Sequence, residues 1–428
     1  MDYERYLNET GIGRKPSPIR SQHAKLVCLE PEDDAIYLTG GLPNHSTFPA
    51  VKATFQLRDG SSIELDHKAT KDALQYDATP GFKELLNWIY ELQRQVHNPP
   101  TYNNNKHPGE MKCIMTNGAQ HGLSLVMGNL VCKDDICLME SPAYAGAISV
   151  LNHLKPKMIP IDTDKHGIIP SELRKVLSRW NPSTIQQPGK DGPKLLYCVP
   201  TCGNPTGASL TLERKKEIYE LAREYKFLII EDDPYFYLRS KPYVPSFLSM
   251  DTDGLVLRMD SVSKVVSAGI RIGVLTGPAP LIDTFTCNIE TSVQHTSGLS
   301  QQFLLALLKK WGYEGFFANA DKMASFYEKR KYECLEAARN HLQDVAEWDE
   351  PAGGMFLWIK LKVKDAHPVV EKLIQEKNVF VAPGWYFTLD SKPCPYIRVA
   401  FSNTTYENMN KAFESLAQVI QKYKSENE

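Results

Sequence analysis

Short runs of apolar residues alternate with amphipathic segments from about residue 112 onward. Polar or glycine-containing turns bound each run, which is typical of strands buried in a sheet. Strands that alternate with helices favour a mostly parallel sheet with helices on both faces. The runs are 112–116, 135–140, 195–199, 227–232, 255–260 and 272–276.

The pattern changes in the last third of the chain. Residues from about 280 to 345 lose the strand signal, and apolar side chains such as Phe303 and Leu307 recur there at helical spacing. After a Pro-Ala-Gly-Gly turn at 351–354, the chain returns to short strands and ends in a helix near 406–423. This order predicts a connecting helix followed by a smaller α+β unit.

The predicted fold class is therefore α/β, with a large domain on a mostly parallel sheet flanked by helices and a smaller α+β domain. The first 60 or so residues are irregular and rich in proline and glycine turns, which is typical of an arm or lid. We expect 1–60 to form an N-terminal arm and part of the small domain. We expect 61–330 to form the large domain and 331–428 the small C-terminal domain.

Composition excludes several classes of protein. Lysine and arginine total 49 against 51 acidic residues, so the net charge of −2 does not favour nucleic-acid binding. No apolar stretch approaches the roughly 18 residues of a membrane span. The nine cysteines show no C-x-x-C pair, so we expect reduced thiols and no metal site.

Candidate chemistry lies at the ends of the predicted strands, where open α/β sheets bind their ligands. The turn at Gly118, Ala119 and Gln120 leads from a strand into a helix, and its backbone N–H groups would suit a phosphate. The segment Asn204-Pro-Thr-Gly fixes a turn that can aim the Asn204 amide inward. Taken alone, each is also compatible with ordinary turn chemistry.

Two further strand ends carry charged groups. Asp232 and Tyr235 follow a very apolar run, where a carboxylate is costly to bury unless a cation receives it. Lys264 lies between apolar residues, after two serines and before Arg271, and a lysine in such surroundings has a lowered pKa and can attack a carbonyl group. The alternatives are a helix-capping Asp232 and a surface Lys264.

Together, the order of these motifs resembles the fold-type I pyridoxal-phosphate aminotransferases. Within them, the chain is most similar to the kynurenine/2-aminoadipate aminotransferases, from about Pro16 to the final helix. The resemblance rests on Asn204-Pro-Thr-Gly, Asp232-x-x-Tyr235, Ser261-x-Ser263-Lys264, Arg271, Tyr144, Pro16-Ser-Pro-Ile-Arg20, Gly40-Gly-Leu-Pro-Asn44, Ala73-Leu-Gln-Tyr76, His97-Asn-Pro-Pro100, the helix from Glu213 to Ala222 and Gly354-Met-Phe-Leu-Trp358.

The resemblance implies that 61–330 binds pyridoxal 5'-phosphate and that Lys264 is both its covalent anchor and the base that moves the substrate proton. It implies that Asp232 pairs with the ring nitrogen and that Tyr235 and Asn204 contact the ring oxygen. Tyr144 would stack on the ring. The phosphate contacts that it implies are Gly118, Ala119, Gln120, Ser261, Ser263, Arg271 and Tyr76.

The family lends Tyr76 from the other subunit, so the resemblance implies a homodimer with shared active sites. It also implies that Arg398 binds the substrate α-carboxylate and that Arg20 in the arm reads a distal substrate group, or swings away for an aromatic side chain. The remaining substrate contacts that it implies are Gly41, Leu42, Tyr76, Tyr144, Asn204 and Phe356.

The sequence departs from these relatives at Ala119, where serine is usual, at Thr201-Cys202-Gly203 and at Trp385-Tyr386-Phe387. We expect these departures to change affinity or substrate preference and not the reaction type.

The implied activity is ping-pong transfer of the amino group of kynurenine, 2-aminoadipate or related aromatic and large aliphatic amino acids to 2-oxoglutarate. Alternatives are an aromatic or broad-specificity amino acid aminotransferase with cysteine-conjugate β-lyase side activity and, more remotely, a regulator that binds pyridoxal phosphate. The expected location is cytoplasmic or mitochondrial. The partners expected are amino and oxo acids, with neither nucleic acid nor membrane.

Overall fold

A computed structural model describes residues 2–18, 38, 41–390 and 392–427. The strands are β1 Ala53–Gln56, β2 Ser62–Leu65, β3 Met111–Thr116, β4 Ile136–Ser141, β5 Lys157–Asp164, β6 Gly167–Ile168, β7 Leu195–Cys198, β8 Leu228–Asp232, β9 Val256–Ser261, β10 Gly273–Pro278, β11 Ala346–Trp348, β12 Phe356–Leu361, β13 Ala382–Pro383 and β14 Tyr396–Ala400. The α-helices are α1 Glu9–Ile12, α2 His67–Leu74, α3 Lys83–His97, α4 Ala119–Leu130, α5 Ala145–Leu154, α6 Pro170–Leu177, α7 Leu212–Tyr225, α8 Ala279–Ser292, α9 Gly298–Leu342, α10 His367–Lys377 and α11 Tyr406–Asn427.

Local sequence sets several helix boundaries. The side chain of Asp66 accepts the Ala69 N–H at 2.8 Å and begins α2. Thr211 caps α7 in the same way through the Arg214 N–H at 3.3 Å. Such caps satisfy N–H groups that have no partner inside the helix.

The chain folds into two compact units. The first contains Met1–Cys132 and Ser246–Ala318, and the second contains Lys133–Pro245 and Asn319–Glu428. The domain boundaries that we expect at residues 60 and 330 remain predictions.

In the first unit, β10 pairs antiparallel with both β3 and β9. Gly273, the first residue of β10, lies opposite Thr116 on one side and Ser261 on the other. The turn after Thr116 and the turn after Ser261 therefore leave the sheet at the same edge. This register brings together two sequence motifs that are more than a hundred residues apart.

In the second unit, β7 lies between β4 and β8, and all three strands are parallel. Met139 is the register partner of Tyr197, and Tyr197 is the partner of Ile230. The carboxyl ends of these strands therefore share one edge, as the sequence pattern predicts. β5 continues the parallel order beside β4.

A separate antiparallel sheet in the second unit has the strand order β11-β12-β14-β13. Its register places Trp358 opposite Arg398. Leu357, Ile397 and Phe413 belong to the buried apolar core that this sheet shares with α10 and α11. The smaller α+β unit predicted after residue 351 is present in this form.

The predicted connecting helix is also present. Helix α9 runs over 45 residues and is interrupted at Gly312, whose φ of +62° is not helical. Among the described residues, no helix is long and apolar enough to cross a membrane. The same residues contain no group of three or more side chains that could hold a metal ion.

Candidate active site

Arg271 is the centre of a cluster at the edge of the first unit. Its guanidinium donates to the Asn117 carbonyl at 3.2 Å, to the Ala268 carbonyl at 3.1 Å and to Ser263 Oγ at 3.4 Å. Ser263 N–H in turn donates to Ser261 Oγ at 3.2 Å. The cluster therefore joins Arg271 and both predicted serines to the turn that precedes α4.

Two glycines allow the close contacts in this cluster. Gly118 has a φ of +80°, and a Cβ at that position would lie 2.2 Å from the Arg271 guanidinium. A Cβ on Gly273 would lie 2.7 Å from the Ala119 backbone nitrogen. The cationic side chain and the N-terminus of α4 can approach each other closely only because both side chains are absent. An arginine beside a helix N-terminus is an arrangement that binds anions.

Lys264 lies in the turn that follows β9, in the same unit as Arg271. Its side chain is half-buried, and the neighbouring Val265 is fully buried. The Val262 N–H donates to the Ile272 carbonyl at 3.3 Å, which ties this turn to the start of β10. The predicted covalent anchor and the predicted phosphate contacts thus belong to one structural unit.

Tyr76, Gly41 and Leu42 belong to the first unit but are exposed. Tyr76 is 48% exposed and makes an edge-to-face contact with His295. Gln75 donates to the Pro43 carbonyl at 2.8 Å, so the segment that contains Leu42 runs beside Tyr76. Arg20 lies outside the described residues.

Asp232 ends β8 and opens a second cluster, in the second unit. Its carboxylate is buried and accepts the Tyr197 hydroxyl at 2.8 Å. Burial and the charge of Asp232 raise the pKa of Tyr197 well above its ordinary value, so this phenol stays protonated and donates. A buried carboxylate is stabilised by such donors and by a nearby cation, of which a protonated ring nitrogen is one kind.

Glu140, at the end of β4, is a buried acid that the sequence analysis did not single out. It accepts the Val199 N–H at 2.9 Å, and burial raises its pKa to about 8, with a further contribution from Asp232. At neutral pH it is therefore largely protonated, which leaves fewer negative charges at this sheet edge. Its place at the end of an apolar run was the available signal.

Arg398, Asn204 and Tyr235 form the polar part of the second cluster. Arg398 donates to the Asn204 side-chain oxygen at 2.8 Å, and Asn204 also hydrogen-bonds the Tyr235 phenol. Burial is the main cause that raises the pKa of Tyr235 and lowers that of Arg398. The buried Arg398 Nε has no hydrogen-bond partner among the described residues. An unsatisfied guanidinium donor in a buried setting favours an anionic ligand.

Two aromatic rings support Arg398. Its guanidinium carbon lies 4.4 Å from the ring centre of Phe356 and 4.9 Å from that of Phe387. Phe387 was not predicted as a site residue, although its loop was noted as a departure. Its carbonyl accepts the Ala143 N–H at 2.9 Å, directly before Tyr144. Burial is the main cause that raises the pKa of Tyr144; the charge of Asp232 raises it further and that of Arg398 lowers it, so both charges act on Tyr144.

The structure therefore brings the predicted residues together in two clusters. The cluster of the first unit contains Gly118, Ala119, Ser261, Ser263, Lys264 and Arg271, and that of the second contains Tyr144, Asn204, Asp232, Tyr235, Phe356 and Arg398. Gln120 follows Ala119 in the first turn of α4 and is exposed. The roles of these residues remain predictions.

Comparison with known proteins places the chain in a family. The family model "Aminotransferase class I and II" matches residues 34–416. The mitochondrial kynurenine/alpha-aminoadipate aminotransferase of Bos taurus is 44% identical over 423 residues, which cover 98% of this chain and 99% of that protein.

Two solved structures are similar over nearly the whole chain. Aminotransferase Aro8 from Candida albicans has a TM-score of 0.86 and 26% identity, and the match covers 99% of this chain and 98% of that chain. Kynurenine aminotransferase from Pyrococcus horikoshii, solved with PMP, KYN and KYA, has a TM-score of 0.75 and 26% identity, with coverage of 99% and 98%.

These matches confirm the predicted resemblance, the predicted α/β fold class, the transaminase class of enzyme and pyridoxal phosphate as the cofactor. The family model covers most of the chain, and the Bos taurus relative exceeds 40% identity over almost all of it. The chain therefore belongs to the class I and II aminotransferases.

Proposed function

We propose that this enzyme transfers the α-amino group of kynurenine, 2-aminoadipate or related aromatic and large aliphatic amino acids to 2-oxoglutarate by a ping-pong mechanism. The observation that carries this proposal is the half-buried Arg398, which Asn204 and two aromatic rings hold in place while its buried Nε lacks a protein partner among the described residues. The name of the Bos taurus relative supports these two amino donors.

The residues of the first unit fit a phosphate-bearing cofactor. The phosphate would lie beside Arg271 at the N-terminus of α4, with donors from Ser261, Ser263 and the backbone at Gly118, Ala119 and Gln120. Lys264, in the following turn, would hold the aldehyde carbon covalently. When bound, pyridoxal phosphate supplies an electron sink for the bonds at the substrate Cα.

The residues of the second unit fit the ring. Asp232 would hold the protonated ring nitrogen, and Tyr197 orients the carboxylate for that contact. Asn204 and Tyr235 would bind the ring oxygen, and Tyr144 would stack on the ring face.

Proton transfer falls to Lys264. Its Nζ atom, once neutral and released, would take the proton from the substrate Cα and deliver it to the cofactor's aldehyde carbon. This proton transfer would allow water to release the amino donor as its oxo acid, with the amino group left on the cofactor. Arg398 would hold the α-carboxylate with its planar donors and so fix the direction of the Cα–H bond. Phe356 and Phe387 exclude water around this ion pair.

The residues that would recognise the substrate side chain are the predicted ones, namely Arg20, Gly41, Leu42, Tyr76 and Phe356. Aromatic side chains near Arg398, namely Tyr235, Phe356 and Phe387, favour aromatic donors and so also support the broad-specificity alternative. β-Lyase side activity and a regulatory role remain predictions. The word "mitochondrial" in the relative's name agrees with the predicted location.

A homodimer is part of the proposal. A second copy of the chain would cover exposed apolar side chains of the first unit, including Leu42, Leu74, Tyr76, Val293 and Leu299. Tyr76 of each copy would contact the cofactor phosphate bound by the other copy. Light scattering of the holoenzyme should then give twice the 48.3 kDa chain mass. A monomeric mass with full activity would contradict this part.

Replacing Lys264 tests the assignment of the anchor and base. For Lys264→Ala we expect the transamination rate to fall by roughly a thousandfold or more, because both the covalent link and the proton carrier are lost. The measurement is bleaching of the cofactor's visible absorbance by L-kynurenine or L-2-aminoadipate and its return with 2-oxoglutarate. Lys216→Ala, at an exposed lysine of α7, should match the unmodified enzyme. Normal bleaching and recovery in Lys264→Ala would refute the assignment.

Replacing Arg398 by lysine tests carboxylate recognition. The charge is kept but the planar donors are lost, so kcat/KM for both amino donors should fall about 10- to 100-fold. Cofactor affinity should change little. Arg339→Lys, at an exposed position on α9, is the matched control. If Arg398→Lys retains the kcat/KM of that control, Arg398 is not the carboxylate receptor.

Tyr197→Phe tests the support of Asp232. The ring volume is kept and only the hydroxyl that donates to Asp232 is removed, so kcat should fall about 5- to 20-fold while KM stays within twofold. Tyr243→Phe removes a buried hydroxyl that has no partner among the described residues and is the matched control. Equal kcat values for the two variants would show that the Tyr197 hydroxyl does not act through Asp232.

A further inference from the structure

His121 lies in the first turn of α4 and is half-buried. Its Nδ1 atom accepts the backbone N–H of Asn117 at 3.1 Å. The carbonyl of the same residue accepts the Arg271 guanidinium at 3.2 Å. Asn117 therefore links His121 to Arg271 through its two backbone groups.

This contact has a clear structural consequence. Asn117 precedes the helix, so its N–H cannot take part in the helical hydrogen-bond ladder, and an unsatisfied backbone N–H is costly. His121 supplies the acceptor from one turn later. The Gly118 carbonyl on the other side of the turn is held by Thr116 Oγ1 at 3.0 Å and by the His121 N–H at 3.1 Å.

We propose that His121 is a positioning residue for the phosphate site: its Nδ1 atom holds the Asn117 N–H, and this fixes the carbonyl that anchors Arg271. The inference rests on the proposed function, in which Arg271 and the N-terminus of α4 bind the cofactor phosphate. His121 itself is not assigned any contact with the cofactor.

The contact depends on protonation. Neutral imidazole can accept a hydrogen bond at Nδ1 when its proton is on Nε2. Imidazolium carries a proton on both nitrogens, so the Nδ1–H group would face the Asn117 N–H and the hydrogen bond would be lost. Burial lowers the pKa of His121, so the acceptor survives to a lower pH than in an exposed histidine. Cofactor affinity should therefore be highest at neutral and alkaline pH, and should fall as the pH drops through the lowered pKa.

Apart from Arg271 at its N-terminus, the charged groups on the elements that pack against α4 are paired elsewhere or exposed. Helix α4 has none of its own, and it packs against α1, α8, β3, β9 and β10. On β9, Asp260 binds Arg258 and Gln93. Lys112 of β3 pairs with Asp283 of α8. Glu290 of α8 accepts the Ser17 N–H, and Glu9 of α1 is exposed. Burial lowers the pKa of His121, so the experiment replaces the His121 side chain itself and leaves the neighbouring charges unchanged.

The test compares three full-length proteins as apoenzymes: the unmodified chain, His121→Gln and His121→Leu. Glutamine keeps a side-chain acceptor but does not titrate, whereas leucine has no acceptor. The dissociation constant of pyridoxal phosphate is measured by absorbance titration at about pH 8 and about pH 5.5. Pyridoxal, which has the same ring but no phosphate, is titrated in parallel.

At the higher pH we expect His121→Leu to bind pyridoxal phosphate about 5- to 10-fold more weakly, and His121→Gln to bind within about twofold of the unmodified chain. On acidification, the unmodified chain should lose more affinity than His121→Gln, because only the histidine loses its acceptor. Titration of the phosphate itself is common to all three proteins and cancels in this comparison. Pyridoxal should bind all three equally.

Equal affinity of His121→Leu and the unmodified chain would overturn the proposal. So would parallel pH profiles of the unmodified chain and His121→Gln, or an equal weakening for pyridoxal, which would indicate a general structural defect. Failure of the proposed function would look different, since the unmodified enzyme would then show no cofactor absorbance that amino acids bleach.

Discussion

The buried carboxylate of Asp232 is the constraint on which the chemistry of the second unit depends. A charge at the end of a fully buried strand is costly, and the surroundings are arranged around it. Tyr197 donates to it from the neighbouring strand, and burial keeps that phenol protonated. Glu140, on the next strand, has a pKa of about 8 and so carries little negative charge at neutral pH. Glu140 thus adds little negative charge near the carboxylate of Asp232.

The first unit depends on a different constraint, which is the close approach of Arg271 to the N-terminus of α4. Arg271 can lie against the N-terminus of α4 only because Gly118 and Gly273 have no side chains there. The antiparallel register of β10 with β3 and β9 places both turns at one edge. The Arg271 guanidinium and the positive end of the helix dipole then lie together, and the partners of this guanidinium among the described residues are carbonyl and hydroxyl oxygens. On the proposed function, the cofactor phosphate supplies the anion.

Sequence reasoning located the residues whose chemistry is visible at a strand end, such as Asp232, Asn204 and Lys264. It missed Tyr197, because a tyrosine inside an apolar run has the pattern of a core residue until the register sets it beside Asp232. It missed His121, because the acceptor role of the imidazole depends on a backbone N–H four residues earlier. Phe387 was noted only as part of a loop, since nothing in the sequence brings that loop to Arg398. The antiparallel direction of β10 was likewise not visible in the apolar pattern.

The surroundings of Arg398 connect this architecture to substrate range. On the proposed function Arg398 binds the α-carboxylate, which is common to every amino acid and its oxo acid, so one receptor can serve both half-reactions. Asn204 and the rings of Phe356 and Phe387 hold the guanidinium from the protein side, which leaves Nε as a buried donor. Flat rings also tolerate varied side chains, since they offer apolar area and few directional contacts. A fixed polar receptor in an aromatic setting therefore favours strict recognition of the amino acid backbone together with a broad choice of large side chains.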